Sequence, residues 1–314
     1  MTIFLIIYTI TTTIIVLALT ISTIVASRKT SHRKSTALKQ QYIRLLIHRL
    51  NNHSAIHISA HGYHSRMALA EAIHAVVSHT YGIDTDQLKE VAKTNRLEQI
   101  LTHSIALSSG HIRSHMLMLL GSIPISDKTH DKLHRHLASH NDLVRTSALL
   151  AILASKPNHA IRTIASLDFD LQHFDIARII ALLRRGLLPI AYEPLLNDSN
   201  RNLRMLGLAI VRSFGLTIAE KQLYNIIYTE KSQEIITEAF YTLASLGRPL
   251  GRTKIRERLA AMSAWQRQDF CRHMTVEGYS LQTVQSLFSP SESIHAERMI
   301  NSYKRGLAKN VATV

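Results

Sequence analysis

The chain opens with a long apolar stretch that carries no charge. Residues 3–26 read IFLIIYTITTTIIVLALTISTIVA, which is 24 residues without a charged side chain. As a helix rising about 1.5 Å per residue, this stretch would reach about 36 Å, enough to cross a hydrocarbon core of roughly 30 Å. No Lys or Arg precedes it, and it is longer than the apolar part of a cleaved signal peptide. We therefore predict a retained transmembrane anchor over residues 1–26.

Residues 27–65 are polar and basic, with one amphipathic segment among them. In residues 36–50 the leucines and Tyr42 recur at helical spacing, so they share one face of a predicted helix. Two placements of this helix remain open at this point. It lies on a bilayer surface, or it packs on the first helices of the body that follows.

From about residue 66, apolar residues recur at helical spacing in segments separated by periodic breaks. Pro124, Pro157 and Pro189 stand 33 and 32 residues apart, and Gly215 and Gly247 stand 32 apart. A period of about 30 to 45 residues with two helices per unit is typical of an α-solenoid. We predict such a body over residues 66–308, followed by a short tail over residues 309–314.

Each predicted unit has a long first helix and a shorter second one. The first helix carries a small residue at mid-span, where a neighbouring helix is expected to come close; these residues are Ala148, Ala181, Gly207 and Ala239. Only 11 Gly, 6 Pro and 6% aromatic residues occur in the chain, which favours helices over a β-sandwich or barrel. The fold class that we predict is all-α.

The sequence DLVRTSALL at residues 142–150 resembles the first helix of a HEAT repeat, in which Asp or Asn and a Val-Arg-like pair precede small apolar residues. Segments that begin at Asn202 and Phe174 resemble it less closely. The resemblance covers roughly residues 107–302. It implies a right-handed α-solenoid of degenerate HEAT-like helix pairs whose concave face binds a protein surface or peptide.

A narrower resemblance joins the apolar stretch, the basic segment and the Tyr-Gly-Ile-Asp sequence at residues 81–84 to these helix pairs. In this combination the chain is similar to membrane-anchored HEAT proteins of bacteria. Some of those proteins accompany membrane glycosyltransferases that make exopolysaccharide. The resemblance implies a location at the bacterial inner membrane.

Charge adds an orientation to this picture. The formal net charge is +15, yet the first acidic residue is Glu71. Positive residues beside a membrane span stay on the cytoplasmic side, so the N-terminus is predicted outside and the body inside. The single cysteine, Cys271, fits a reducing compartment. Seven cations of this segment are candidates for contact with anionic lipid or a partner: Arg28, Lys29, Arg33, Lys34, Lys39, Arg44 and Arg49.

The same cations have two other interpretations. They serve only to fix the topology, or they bind nucleic acid, which the lack of interleaved aromatic residues argues against. Further arginines recur on or beside the predicted repeat helices. They either pair with loop carboxylates or line a basic groove that suits an acidic partner, and the groove candidates are Arg113, Arg145, Arg178 and Arg204.

Histidine is abundant, with 19 residues. His53, His57 and His61 are four residues apart and would share one face if the segment were helical, which makes them candidate ligands for Zn or Ni. Surface histidines are the favoured interpretation, and we predict no cofactor. HEAT-like DNA glycosylases use a groove lined by aromatic residues and carboxylates. The chain has one Trp, Trp265, near Asp269, but a membrane anchor argues against that activity.

The chain carries none of the common nucleotide-binding, hydrolase or metalloprotease motifs. We therefore expect a non-catalytic, membrane-tethered scaffold or adaptor that recruits or regulates a partner protein at the cytoplasmic face. The alternative is binding of nucleic acid or anionic lipid through the basic segment and groove. A groove of mixed charge would favour a protein partner, and a continuous positive stripe would favour nucleic acid.

Overall fold

The computed structural model describes residues 34–51, 57–80, 85–186, 190–251 and 253–311. These residues form helices, turns and loops, with no β-strand among them. The prediction of an all-α fold is confirmed. The predicted transmembrane span, residues 3–26, lies outside the described residues. Within the described ranges, no helix is both long and apolar enough to cross a membrane.

The chain divides into two compact units. The first comprises Met1–Pro157 with Arg185–Leu188, and the second comprises Asn158–Arg184 with Pro189–Val314. The first unit contains α1 (34–51), α2 (Gly62–His79), α3 (Thr85–Thr94), α4 (Leu97–Leu107), α5 (Gly110–Leu120), α6 (Asp127–Leu133) and α7 (Asp142–Ser155). The second contains α8 (Ala160–Ala165), α9 (His173–Arg184), α10 (Tyr192–Leu196), α11 (Arg201–Phe214), α12 (Glu220–Thr229), α13 (Gln233–Ser245), α14 (Thr253–Ala260), α15 (Ala264–Val276), α16 (Leu281–Leu287) and α17 (Pro290–Val311).

Helix α1 belongs to the core of the first unit. Leu46 is fully buried, and Tyr42 is buried with its hydroxyl 2.6 Å from the Ser65 hydroxyl. The predicted helix over residues 36–50 is therefore confirmed. Of its two placements, the structure shows packing on the body, because the apolar face is already covered by protein.

The second unit repeats one packing arrangement. Helix α9 contacts α11, α11 contacts α13, α13 contacts α15, and α15 contacts α17. Gly215 and Gly247, which are 32 residues apart, end the long helices α11 and α13 with φ of 63° and 65°. In this left-handed conformation the amides that follow turn back onto the helix: Leu216 N lies 3.0 Å from the Val211 carbonyl oxygen. The two glycines at the predicted breaks therefore end α11 and α13 in the same way.

Three of the four predicted mid-span positions lie at close approaches. A Cβ on Gly207 would stand 3.0 Å from a side chain of α10, and Ala148 and Ala239 are fully buried. Ala181 is the exception, because it is exposed. The buried stripe of α9 is rotated away from it and runs through Ile176, Ile179 and Ile180.

Candidate functional site

Two cations of the basic segment, residues 27–65, form ion pairs within the first unit. Arg49 is buried and pairs with Glu90 on α3, and Lys39 Nζ lies 3.7 Å from Glu71 on α2. Arg49 stands three residues after Leu46, so both side chains share the inward face of α1. The prediction that Arg49 contacts lipid or a partner is wrong for this reason.

Other cations of the segment remain exposed. The structure places Lys34 and Arg44 at the surface of α1. Arg28, Lys29 and Arg33 lie outside the described residues. The predicted lipid or partner surface therefore keeps Lys34 and Arg44 as its exposed members within the part of the chain that the structure describes.

The four groove arginines are held by local contacts. Arg145 Nη2 lies 2.7 Å from Asp142 Oδ1, and Arg204 pairs with Glu230. Arg113 donates from Nε to the Ile105 carbonyl oxygen at 3.2 Å, which ties it to the end of α4. Arg178 places its guanidinium 5.5 Å from the centre of the Phe174 ring. Arg145 and Arg204 thus pair with carboxylates, as in the stabilising interpretation. Contact of the four arginines with a partner stays a prediction.

Two members of the first histidine group lie outside the helices. His57 and His61 lie in the non-helical segment before α2, and His53 lies outside the described residues. The shared helical face on which the metal prediction depended is therefore absent for His57 and His61. Among the described residues, no group of three or more His, Cys, Asp or Glu side chains could hold a metal ion.

The first unit carries a cleft of about 330 Å³ between α4, α5 and the α6 region. Its charged lining residues are Lys132 and Arg135, with His136 beside them, and the lining includes no carboxylate. Burial lowers the pKa of His136, and the positive charges of Arg113 and Arg135 lower it further. The cleft is therefore basic.

The second unit carries a cleft of about 410 Å³ whose lining comes from four successive long helices, α9, α11, α13 and α15. These helices contribute His173, Met205, Arg212, Glu234, Thr237, Glu238, Tyr241, Trp265, Gln266 and Asp269. Three carboxylates and one arginine make up its formally charged groups. The cleft therefore has an acidic excess in a chain that is strongly basic.

The three carboxylates differ in their partners. Glu238 is buried and its Oε1 lies 2.6 Å from Arg212 Nη1. Glu234 is paired with Arg201, whose Nε lies 2.8 Å from Glu234 Oε2. Asp269 accepts a hydrogen bond from the Tyr241 hydroxyl and forms no ion pair within the described part of the chain. Asp269 is therefore the cleft carboxylate that has no ion-pair partner among the described residues.

Tyr241 is the polar centre of the cleft wall. Burial raises the pKa of Tyr241, and its hydrogen bond to Asp269 and the negative charges of Asp269 and Glu238 raise it further. Its ring packs against His273 with centroids 4.7 Å apart. Burial lowers the pKa of His273 below its ordinary value, although the negative charge of Glu277 acts in the opposite direction. Both side chains are therefore held uncharged at neutral pH.

Trp265 lines the side of the cleft formed by α15, at the start of that helix. A capping box fixes this helix start: the Ser263 hydroxyl accepts from the Gln266 amide at 3.3 Å, and the Gln266 side chain accepts from the Ser263 amide at 3.1 Å. Trp265 is nonetheless 73% exposed, so its indole faces solvent at the edge of the cleft. An anchored helix start thus presents a large aromatic surface.

Sequence reasoning noted Trp265 and Asp269 but missed their neighbours. Glu234, Glu238 and Tyr241 belong to no motif. The available signal was their spacing, because residues three and four apart on α13 share one helix face. What the spacing does not contain is that this face lies beside Trp265 and Asp269 on α15.

A scan of the chain against protein-family models gives no match, and no curated protein sequence matches it.

Proposed function

We propose that this protein is a non-catalytic, membrane-tethered adaptor that recruits or regulates a partner protein at the cytoplasmic face of a membrane. In this proposal the anchor is formed by residues 3–26. The body is a right-handed α-solenoid of degenerate HEAT-like helix pairs. The resemblance to membrane-anchored bacterial HEAT proteins makes a membrane glycosyltransferase of exopolysaccharide synthesis one class of partner.

The observation that carries this proposal is the cleft of the second unit. Its lining comes from four successive long helices, combines Arg212 with three carboxylates, and ends at the exposed Trp265. Exposed aromatic residues beside hydrogen-bonding groups are typical of protein-binding surfaces. A mixed, acidic lining does not suit the phosphates of a nucleic acid.

Capture of partners from detergent-solubilised membranes tests the proposal. The full chain is compared with a deletion of residues 1–33, which keeps α1 and thus the core residues Tyr42 and Leu46. We expect the full chain to be found with membranes and to capture a membrane-associated protein reproducibly. The deletion should leave the membrane fraction and capture less of that protein, because tethering raises local concentration. Failure of the full chain to capture any protein would overturn the proposal.

Anionic lipid is a second candidate ligand, favoured by the exposure of Lys34 and Arg44 on α1. We expect the full chain, with its anchor held in a supporting bilayer, to capture added vesicles that contain phosphatidylserine more than vesicles of phosphatidylcholine. Raising the salt concentration should abolish the difference, because exposed charges are screened beyond a Debye length of about 8 Å at physiological ionic strength. Equal capture of both vesicles at low salt would exclude this candidate.

A further inference from the structure

One carboxylate of the second-unit cleft forms no ion pair within the described part of the chain. Glu238 and Glu234 are paired with Arg212 and Arg201, whereas Asp269 receives only the Tyr241 hydroxyl among the described polar groups. Tyr241 donates to Oδ2, which orients the carboxylate and leaves Oδ1 for another donor. The position therefore suits a positively charged donor from outside the unit.

Trp265 stands one helical turn before Asp269 on α15. Residues four apart share one helix face, so the indole and the carboxylate border the same part of the cleft. The indole is 73% exposed, so its face is accessible to a ligand. Tryptophan is the best aromatic acceptor for a cation–π contact, and a carboxylate binds guanidinium through paired charge-assisted hydrogen bonds.

We propose that this cleft binds an extended segment of a partner protein that carries an arginine or lysine, with the cationic group seated between the Trp265 ring and the Asp269 carboxylate. This inference rests on the proposed function, since the segment belongs to the recruited partner. The lining extends over α9, α11, α13 and α15, which suits a segment laid across successive helices. A phosphate-bearing ligand is disfavoured because Arg212 is already paired and three carboxylates repel it.

The chain contains a single tryptophan, so its intrinsic fluorescence reports on this site directly. In the test, the detergent-solubilised full chain is titrated with a short unlabelled Gly-Ser peptide that carries arginine. A second titration uses the same peptide with citrulline, an uncharged analogue of arginine. We expect a saturable change in Trp265 emission with the arginine peptide and at least about a tenfold weaker response with the citrulline peptide. Oligothymidine serves as the nucleic-acid probe and should give no saturable change.

Variants separate a specific site from a general charge effect. Asp269→Asn keeps an acceptor for Tyr241 and should weaken arginine-peptide binding about tenfold. Trp265→Ala, measured by the anisotropy of a labelled peptide, should weaken it by about three- to tenfold. Asp168→Asn is the control, because Asp168 is exposed in the same unit and does not line the cleft. Equal affinity for arginine and citrulline, equal effects of Asp269→Asn and Asp168→Asn, or saturable binding of oligothymidine alone would overturn the inference.

The capture experiment distinguishes this inference from the proposed function. A partner captured by the full chain and lost with Asp269→Asn supports both. A partner captured equally well by the Asp269→Asn chain keeps the adaptor function and overturns the cation site. Absence of any captured partner overturns the adaptor function, and the peptide titration then decides on the cation site by itself.

Discussion

The clefts of the two units are similar in size and opposite in charge. The first, of about 330 Å³, is lined by Lys132 and Arg135 without a carboxylate, and the second, of about 410 Å³, is lined by Glu234, Glu238 and Asp269 with one arginine. The comparison shows that the sign of a local surface is not inherited from the net charge of the chain. It depends on which charges the packed helices pair with one another.

The supply of carboxylates explains the difference. The first unit contains 18 Lys and Arg against 8 Asp and Glu, and the second contains 19 against 14. In the second unit several arginines pair with carboxylates that are distant in the sequence, such as Arg204 with Glu230 and Arg267 with Glu292. Carboxylates are scarce in the first unit, so Lys34 and Arg44 stay exposed and its cleft stays basic.

The largest effect on stability is expected from a change in the aromatic core of the second unit. Phe240, next to Tyr241 on α13, is fully buried, with its ring centroid 5.5 Å from that of Phe270. We expect Phe240→Ala to lower the free energy of unfolding by about 3–5 kcal/mol, because it removes a buried ring and leaves a cavity. Urea denaturation, monitored by Trp265 fluorescence, measures this change in the free energy of unfolding. Phe214→Ala, at an exposed site of the same unit, should change the value by no more than about 0.5 kcal/mol.

The next effect tests whether α1 belongs to the basic unit. Leu46 is fully buried and Ile47, its neighbour on α1, is 45% exposed. We expect Leu46→Ala to destabilise the first unit by about 2–5 kcal/mol and Ile47→Ala by less than about 1 kcal/mol. Hydrogen exchange of first-unit amides, measured by mass spectrometry in the presence of detergent, reports the difference. Equal protection in the two variants would contradict the packing of α1.

A smaller effect distinguishes Arg49, which forms an ion pair, from Arg44, which is exposed on the same helix. Arg49 pairs with Glu90 and its side chain is 11% exposed. We expect Arg49→Ala to cost about 1.5–3 kcal/mol of stability, because hydrogen bonds to charged groups contribute about this much. Arg44→Ala should leave stability unchanged and weaken capture of phosphatidylserine vesicles, by about 1 kcal/mol per cation. An exchange of these two outcomes would contradict the structural assignment.

The smallest effect is that of pH on the second unit. Burial holds the pKa of His273 below its ordinary 6.5, so the native state takes up this proton at lower pH than the unfolded chain does. Stability from this group is complete above about pH 6.5 and decreases as the pH falls from there to the native pKa. Urea midpoints read from Trp265 at decreasing pH should show this loss, and His273→Gln should reduce it. His140→Gln, at an exposed position of the first unit, should leave the dependence unchanged.

Local rules account for much of the fold. Asn141 and Asn200 precede α7 and α11, and each accepts a hydrogen bond from a first-turn amide at 3.2 Å, which is a common role of asparagine at a helix start. Gly215 and Gly247 end helices because they adopt positive φ at little cost. These signals involve neighbours a few residues away, so they are legible in the sequence. The candidate site is different, because it joins one set of locally spaced residues on α13 to another set on α15.

The sequence by itself determined the all-α class, the helix over residues 36–50, and the glycines that end α11 and α13. The tertiary structure decided which side of each helix is inward: it buried Arg49, exposed Ala181, and paired Arg212 with Glu238 across α11 and α13. It also brought Tyr241 to Asp269, 28 residues away. The physical reason is that helix formation depends on residues within about a turn or two, whereas charge pairing depends on rotation and distance between packed helices.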